Sequence, residues 1–405
     1  MVNILKKLFT SSKVISIACA LTLFNSCVQQ SEKRPVDYVD PFIGTGGHGH
    51  TYPGVSLPFG MVQLSPDTRL EGWDGCSGYH YSDSIIYGFS HTHLSGTGCS
   101  DYGDILVMPT TGDYQWKNQD YASEFSHKNE VAKAGYYSVL LDKYQIKAEL
   151  TASLRAGFHK YIFHKSKQSN ILFDLKHRDK VLDSYLKVVN DNEIEGYRRS
   201  EAWASDQLVF FVAKFSKNFY KHEIAVNDTL VGSKNDIRAA NIKAYFSFKT
   251  ENEDTILVKV GISSVSIENA RKNLETEIPD WNFEEIVKKA DSTWNSELSK
   301  IETEGGSDKQ KTIFYTSLYH SFLSPNLYSD YNGDYRGRDF KTYNDKSDYY
   351  TVFSLWDTYR ATHPLFTITQ QKRTVDFINT FIKQYEHGGY LPVWELSSNE
   401  TGCMI

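Results

Sequence analysis

The stretch Ile146-Lys147-Ala148-Glu149-Leu150-Thr151 places an apolar side chain at every second position, with charged or hydroxyl residues between. A strand sends successive side chains to opposite faces, so this alternation predicts a β-strand with one face toward a core. Around it, residues 171–175, 208–215, 245–248 and 256–262 are further strand-like runs separated by turn residues. Short strands at such regular spacing predict an antiparallel β-sandwich. Residues 36–110 are dense in Gly, His and Tyr and poor in periodicity, which reads as ordered loops between short strands. The β domain is therefore expected over residues 36–265.

After about residue 266 the period changes. Ile286, Ala290, Trp294, Leu298 and Ile301 lie three or four residues apart and give one apolar stripe, as a helix would. Gly305-Gly306 ends it, so residues 266–305 are expected to be linker helices. Residues 309–323 begin another helical pattern closed by Pro325, and residues 349–361 and 374–386 look helical as well. About three helices are few to close a core, and Cys403-Met404-Ile405 carries no helix cap, so the helical domain, residues 306–405, is expected to be incomplete.

A net charge of −6 offers no basic surface for nucleic acid. Aromatic residues make up 14% of the chain, which suits a β-rich core before it suits stacking on sugars. Lys6, Lys7 and Lys13 accompany an apolar run, residues 14–24, too short to span a bilayer as a helix. Leu23-Phe24-Asn25-Ser26-Cys27 then resembles a bacterial lipobox with Cys27 as the lipidated residue. Residues 1–27 are thus expected to be a lipoprotein signal peptide, and the protein an exported periplasmic or outer-membrane lipoprotein held at the membrane by its lipid. Phe24 and Asn25 depart from the strict lipobox, which leaves ordinary signal cleavage as the alternative. Cys76, Cys99 and Cys403 remain, an odd number; Cys76 and Cys99 would be able to pair or simply to be buried thiols.

Gly44-Thr45-Gly46-Gly47-His48-Gly49 matches the dinucleotide fingerprint in letters only, because Pro53 and Pro58 forbid the helix that must follow. His48, His50, His80, His91 and His93 cluster with Asp74, Asp101 and Asp104, without a recognised metal-ligand spacing. Trp73-Asp74, Trp356-Asp357 and Trp394-Glu395 each set an indole beside a carboxylate. Sugar sites use that pairing, the ring stacking on the pyranose and the carboxylate accepting from vicinal hydroxyls. Two carboxylates at a fixed separation would be needed for glycoside hydrolysis, and Asp357, Glu395 and Glu400 are the candidates here.

Tyr38-Val39-Asp40-Pro41-Phe42-Ile43-Gly44-Thr45-Gly46-Gly47-His48-Gly49-His50-Thr51-Tyr52-Pro53-Gly54 resembles the opening of glycoside hydrolase family 92. So do Gly72-Trp73-Asp74-Gly75-Cys76-Ser77-Gly78-Tyr79-His80-Tyr81, Gly88-Phe89-Ser90-His91-Thr92-His93, Ser354-Leu355-Trp356-Asp357-Thr358-Tyr359-Arg360 and Gly402-Cys403-Met404-Ile405. The likeness runs through residues 36–405. It implies a β-sandwich followed by the first helices of an (α/α)6 barrel, here truncated. It also implies calcium-dependent, inverting exo-α-mannosidases acting on mannose-containing glycans, with α-1,2-linked mannose as the expected substrate. In that picture Trp73 and Asp357 are substrate-binding residues, with His91, His93, Arg360, Trp394 and Glu395 as further candidates. The family's acid, base and most calcium ligands are expected downstream of Ile405, so the chain alone is expected to be inactive. The alternative is a non-catalytic glycan-binding lipoprotein.

Overall fold

The computed structural model describes residues 33–403; the signal segment with Cys27 lies outside the described residues, as do Met404 and Ile405. Strand Ile146–Ala152 pairs antiparallel with Tyr136–Leu141 on one side and Ala156–Phe163 on the other. Its apolar face is fully buried, but of the alternate residues only Lys147 is exposed. Helix Phe283–Leu298 covers this strand. Glu149 is consequently met by Tyr136 and Lys147, and the Thr151 hydroxyl donates to the Gly135 carbonyl at 2.9 Å.

Two large sheets form the body of the β part, with a two-stranded pair, Ile85–Ile86 and Ser123–Glu124, beside them. One has eight strands in the order Val55–Ser56, Gln63–Asp67, Gly88–Ser90, Leu106–Thr111, Ser166–Asp174, Ile242–Thr250, Lys221–Val226, Thr229–Gly232. The other has nine, in the order Asp236–Arg238, Lys180–Asn190, Glu193–Glu201, Gln207–Phe215, Asp254–Ser263, Ala156–Phe163, Ile146–Ala152, Tyr136–Leu141, Glu130–Lys133. Phe173 of the first sheet lies 6.2 Å from Phe211 and 5.9 Å from Phe215 of the second, ring to ring, so the inner faces interlock as in a sandwich. Residues 50–68 are almost entirely buried despite their loop-like sequence. Their side chains fill the space where the short strands meet the helices.

The helical part packs directly on the sandwich. Ile267–Glu277 sits so close to the nine-stranded sheet that a Cβ on Gly261 would come within 2.4 Å of the Ala270 carbonyl oxygen, which only glycine avoids. Phe283–Leu298 starts at Asn282, whose side chain accepts from the Glu285 N–H, and it buries Ile286, Ala290, Trp294 and Leu298. The Trp294 Nε1–H donates to the Ser56 carbonyl at 2.7 Å and the ring packs 4.4 Å from Tyr319. That indole ties the helix to both the β part and the next helix, Asp308–Ser321, which a Ser307–Gln310 capping box begins.

Residues 349–361 differ from their expected helix. Tyr350–Thr351 and Phe353–Ser354 are short strands, pairing with Asn326–Leu327 and Trp394–Leu396, and only Leu355–Thr358 is helical. Aromatic and β-branched residues favour an extended chain when partners are available, and here the partners come from distant sequence. Thr362–Thr369 is helical although it contains Pro364, which sits in the first turn where its missing N–H has no partner to lose. Gln371–Gly388 buries Asp376, Phe377, Thr380 and Gln384 but leaves Val375, Ile378, Ile382 and Tyr385 exposed along one side. No helix among the described residues is long and apolar enough to cross a membrane.

Candidate active site

A cavity of about 600 Å³ lies where loops of the β part meet the helical part. Trp73, Trp203 and Trp394 line it, together with Asp357, His363 and residues 95–98. Trp73 opens a single 3-10 turn, Trp73–Gly75, and is 57% exposed. His50 meets its ring edge-on at 4.3 Å and His48 lies 5.2 Å away, itself held by Asp74 at 2.6 Å. Gly98 completes the seat, because a Cβ there would come within 2.6 Å of Trp73 Nε1.

Trp203 arrives from the turn between Glu193–Glu201 and Gln207–Phe215. The buried Asp101 carboxylate fixes that turn by accepting from the Trp203 and Ala204 N–H groups, at 3.2 and 2.7 Å. Trp203 meets Trp394 edge to face at 5.9 Å. Asp357 stands on the one-turn helix Leu355–Thr358, exposed to the cavity, and the Ser354 hydroxyl donates to it. It is the one carboxylate among the described residues that line the cavity. The arrangement can stack a flat apolar ring face and accept hydrogen bonds from hydroxyls.

The other candidates lie elsewhere. Glu395 is fully buried, accepting from Thr351 at 3.0 Å and from the Ser398 N–H at 2.6 Å; burial pushes its carboxyl up to about 8. Arg360 donates from Nε to the Tyr359 hydroxyl at 2.8 Å and lies over Trp356, away from the cavity lining. His93 is buried against Gln63, Ser90 and Asp67. Cys76 and Cys99 are buried free thiols. Trp203 escaped the sequence reading because no carboxylate adjoins it; an indole isolated in a polar turn was its only signal.

His91 belongs to a buried relay. Its Nδ1–H donates to the Ile105 carbonyl at 2.7 Å, leaving Nε2 to accept from His159 Nε2–H at 3.0 Å. His159 Nδ1 in turn accepts from the Tyr161 hydroxyl at 2.8 Å. The relay requires both rings neutral, and burial pushes His91 down from 6.5 to about 4. A histidine depressed by folding binds its proton better when unfolded, so its stabilising contribution is complete above about pH 6.5 and is lost as pH falls toward 4. Relative to His91→Gln, the wild type should lose about 2 kcal/mol of unfolding free energy between pH 7 and pH 5. Urea titrations of both proteins at the two pH values check this, and parallel pH slopes would refute it. Asp179 and Glu395, raised by burial to about 7 and about 8, act with the opposite sign but are common to both proteins and cancel.

Calcium takes six to eight oxygen ligands. Among the described residues no three His, Cys, Asp or Glu side chains gather as a metal site, so these residues do not by themselves fit that ion.

Residues 38–263 match the glycosyl hydrolase family 92 N-terminal domain and residues 269–405 the family 92 catalytic domain. The structure superposes on the family GH92 α-mannosidase BT3965 of Bacteroides thetaiotaomicron, solved with mannoimidazole, with a TM-score of 0.89 and 37% identity over 92% of this chain and 51% of that one. For the inverting mannosidase BT2199 of the same organism the values are 0.85 and 29%, over 93% and 52%. An uncharacterized secreted glycosidase of Arthroderma benhamiae is 28% identical over 387 residues, 84% of this chain and 47% of its own length. The chain thus spans about half the length of these relatives. With both of the family's domains matched in order, and a mostly β domain followed by a helical region, the chain belongs to glycosyl hydrolase family 92.

Proposed function

We propose that this chain forms the sugar-holding wall of an inverting exo-α-mannosidase acting on mannose-containing glycans, α-1,2-linked mannose among them. The observation that carries the reading is the convergence of Trp73, Trp203 and Trp394 with one carboxylate, Asp357, on a single cavity. Trp73 stacks on the terminal mannose and Asp357 accepts from two of its hydroxyls. The helical region is the start of an (α/α)6 barrel, a reading supported by the exposed apolar side of Gln371–Gly388, which suits further helices. Calcium is the cofactor that this reading implies.

Trp73→Ala and Asp357→Ala should each weaken binding of methyl α-mannoside by at least about 2 kcal/mol, since each leaves buried sugar surface or hydroxyls without a partner. Calorimetric titration of the chain and its variants measures this. Unchanged affinity in both variants would remove the cavity from consideration.

A non-catalytic glycan-binding lipoprotein is the second reading, favoured by the single carboxylate in the cavity. Both readings place the protein outside the cytoplasm, anchored through Cys27. Globomycin, which blocks lipoprotein signal cleavage, should make the precursor accumulate; normal processing of Cys27→Ser would contradict the anchor.

A further inference from the structure

A separate cavity of about 290 Å³ opens where helix Thr362–Thr369 gives way to helix Gln371–Gly388, and it shares no lining residue with the first. Lys300, Asp348, residues 369–373 and Asp376 line it. Its volume lies just under the usual range of small-molecule sites, about 300–1,000 Å³, so a ligand there is small.

The start of the second helix is open to this space. Gln370 stands at the N-cap position, but its side chain is turned to other partners: Nε2 donates to Glu297 at 2.6 Å, and Oε1 accepts from Lys300 at 3.2 Å and from Arg373 at 2.5 Å. No side chain caps the helix and no acidic residue sits in its first turn. The partial positive charge of an 18-residue helix and its first N–H groups are therefore unanswered. Lys372, exposed in that turn, adds a full charge with no carboxylate partner among the described residues.

Asp376 supplies the opposite charge. It is only 7% exposed, yet its carboxylate lines the cavity without a hydrogen-bond or ion-pair partner among the described residues. A helical side chain leans toward the helix N-terminus, which brings this carboxylate back toward the open first turn. Asp348, exposed and likewise unpartnered among the described residues, lies on the same cavity. Burial and then Asp348 push the Asp376 carboxyl up, with Lys372, Arg373 and Lys383 pulling it the other way. A buried carboxylate left without a partner is costly, and a cation placed between the two acids would remove that cost.

We infer that this cavity is a binding site for a small zwitterion, an α-amino acid, whose carboxylate sits at the helix start beside Lys372 and whose ammonium sits between Asp376 and Asp348. A simple anion would meet the two carboxylates, and a simple cation would meet Lys372 and the positive helix end. Only a ligand that carries both charges close together satisfies both halves of the lining. Lys300 and Arg373 take no part, because Glu297 holds them at 2.7 and 3.1 Å.

The test is titration of the full chain with glycine, acetate and methylammonium, followed through the ligands' NMR signals, with calcium chloride as competitor. Wild type should bind glycine at least about tenfold more tightly than either half-ligand, since each lacks one charged contact. Lys372→Gln and Asp348→Asn, both at exposed positions, should each lower glycine affinity, Lys372→Gln by about tenfold. Asp376→Asn should lower it further, with an unchanged urea midpoint as the check on folding. Methyl α-mannoside binding should be the same in all three variants. Acetate bound as tightly as glycine would reduce the site to a helix terminus and overturn the zwitterion. Displacement of glycine by equimolar calcium would make the acids a metal site and overturn it as well. Absence of glycine binding, or equal binding by all three variants, would overturn the site while leaving the sugar cavity untouched.

Discussion

The 405-residue chain, assayed with an aryl α-mannoside and added calcium, should turn over at least about 10²-fold more slowly than a full-length family 92 α-mannosidase. Inverting hydrolysis needs one carboxylic acid to protonate the leaving oxygen and a second carboxylate, about 6.5–9.5 Å away, to activate water. Each such group is worth about 10²–10⁴-fold. The cavity carries Asp357 alone among the described residues. Glu395 would have a suitable proton at neutral pH, since burial raises it to about 8, but it is sealed under Thr351 and Ser398 rather than facing the cavity. Glu400 spends its oxygens on the Val393 and Trp394 N–H groups, at 2.9 and 2.8 Å. Turnover within tenfold of a full-length relative would put the acid and base on residues of this chain and end the argument. The mannoside that is not hydrolysed should still bind, which separates lost chemistry from lost folding.

Replacing Arg198 by methionine should destabilise the fold by about 3–5 kcal/mol. The side chain is fully buried and its guanidinium is saturated. It donates to the Leu175, His177 and Asp179 carbonyls at 3.0, 2.8 and 3.1 Å, to Ser200 at 2.9 Å and to Asp104 at 2.5 Å. Methionine fills similar space but strands three carbonyls and leaves the Asp104 carboxylate buried with Thr92 and Gln207 alone. Lysine should do little better, because a point charge cannot match five directed bonds. The neighbouring Arg199 is the control: it pairs with Asp206 at the surface, so Arg199→Met should cost under about 1 kcal/mol. Urea midpoints of the two variants decide the matter, and similar values would show that the buried network contributes nothing specific.

The elements that were legible in the chain are those whose signal is local. The alternation through Ile146 and Leu150 and the stripe from Ile286 to Leu298 both follow from backbone geometry and a single apolar side, and the strand and helix are there. The helix expected at 349–361 failed for the opposite reason. Its pairing partners, at 326–327 and 394–396, are set by long-range contact, and a run of aromatic and β-branched residues adopts what its partners allow.

The site divides along the same line. Residue chemistry offered three indole–carboxylate pairs, the family resemblance put Trp73 and Asp357 first with Trp394 as a further candidate, and all three line one cavity. Adjacency in sequence misled elsewhere, because neighbours along a chain rarely share a direction. In the strand Trp394–Leu396 successive side chains face opposite ways, so Trp394 lines the cavity while Glu395 enters the core. On the turn Leu355–Thr358, Asp357 faces in and Trp356 out. His91 and His93 were conspicuous as letters, yet burial turned one into a neutral relay and the other into a partner of Asp67. The amino-acid sequence by itself determined the periodicities, the turns and the supply of indoles and carboxylates. Only the tertiary structure decided which of them converge, because convergence depends on where distant segments pack and which face of each segment the solvent leaves open.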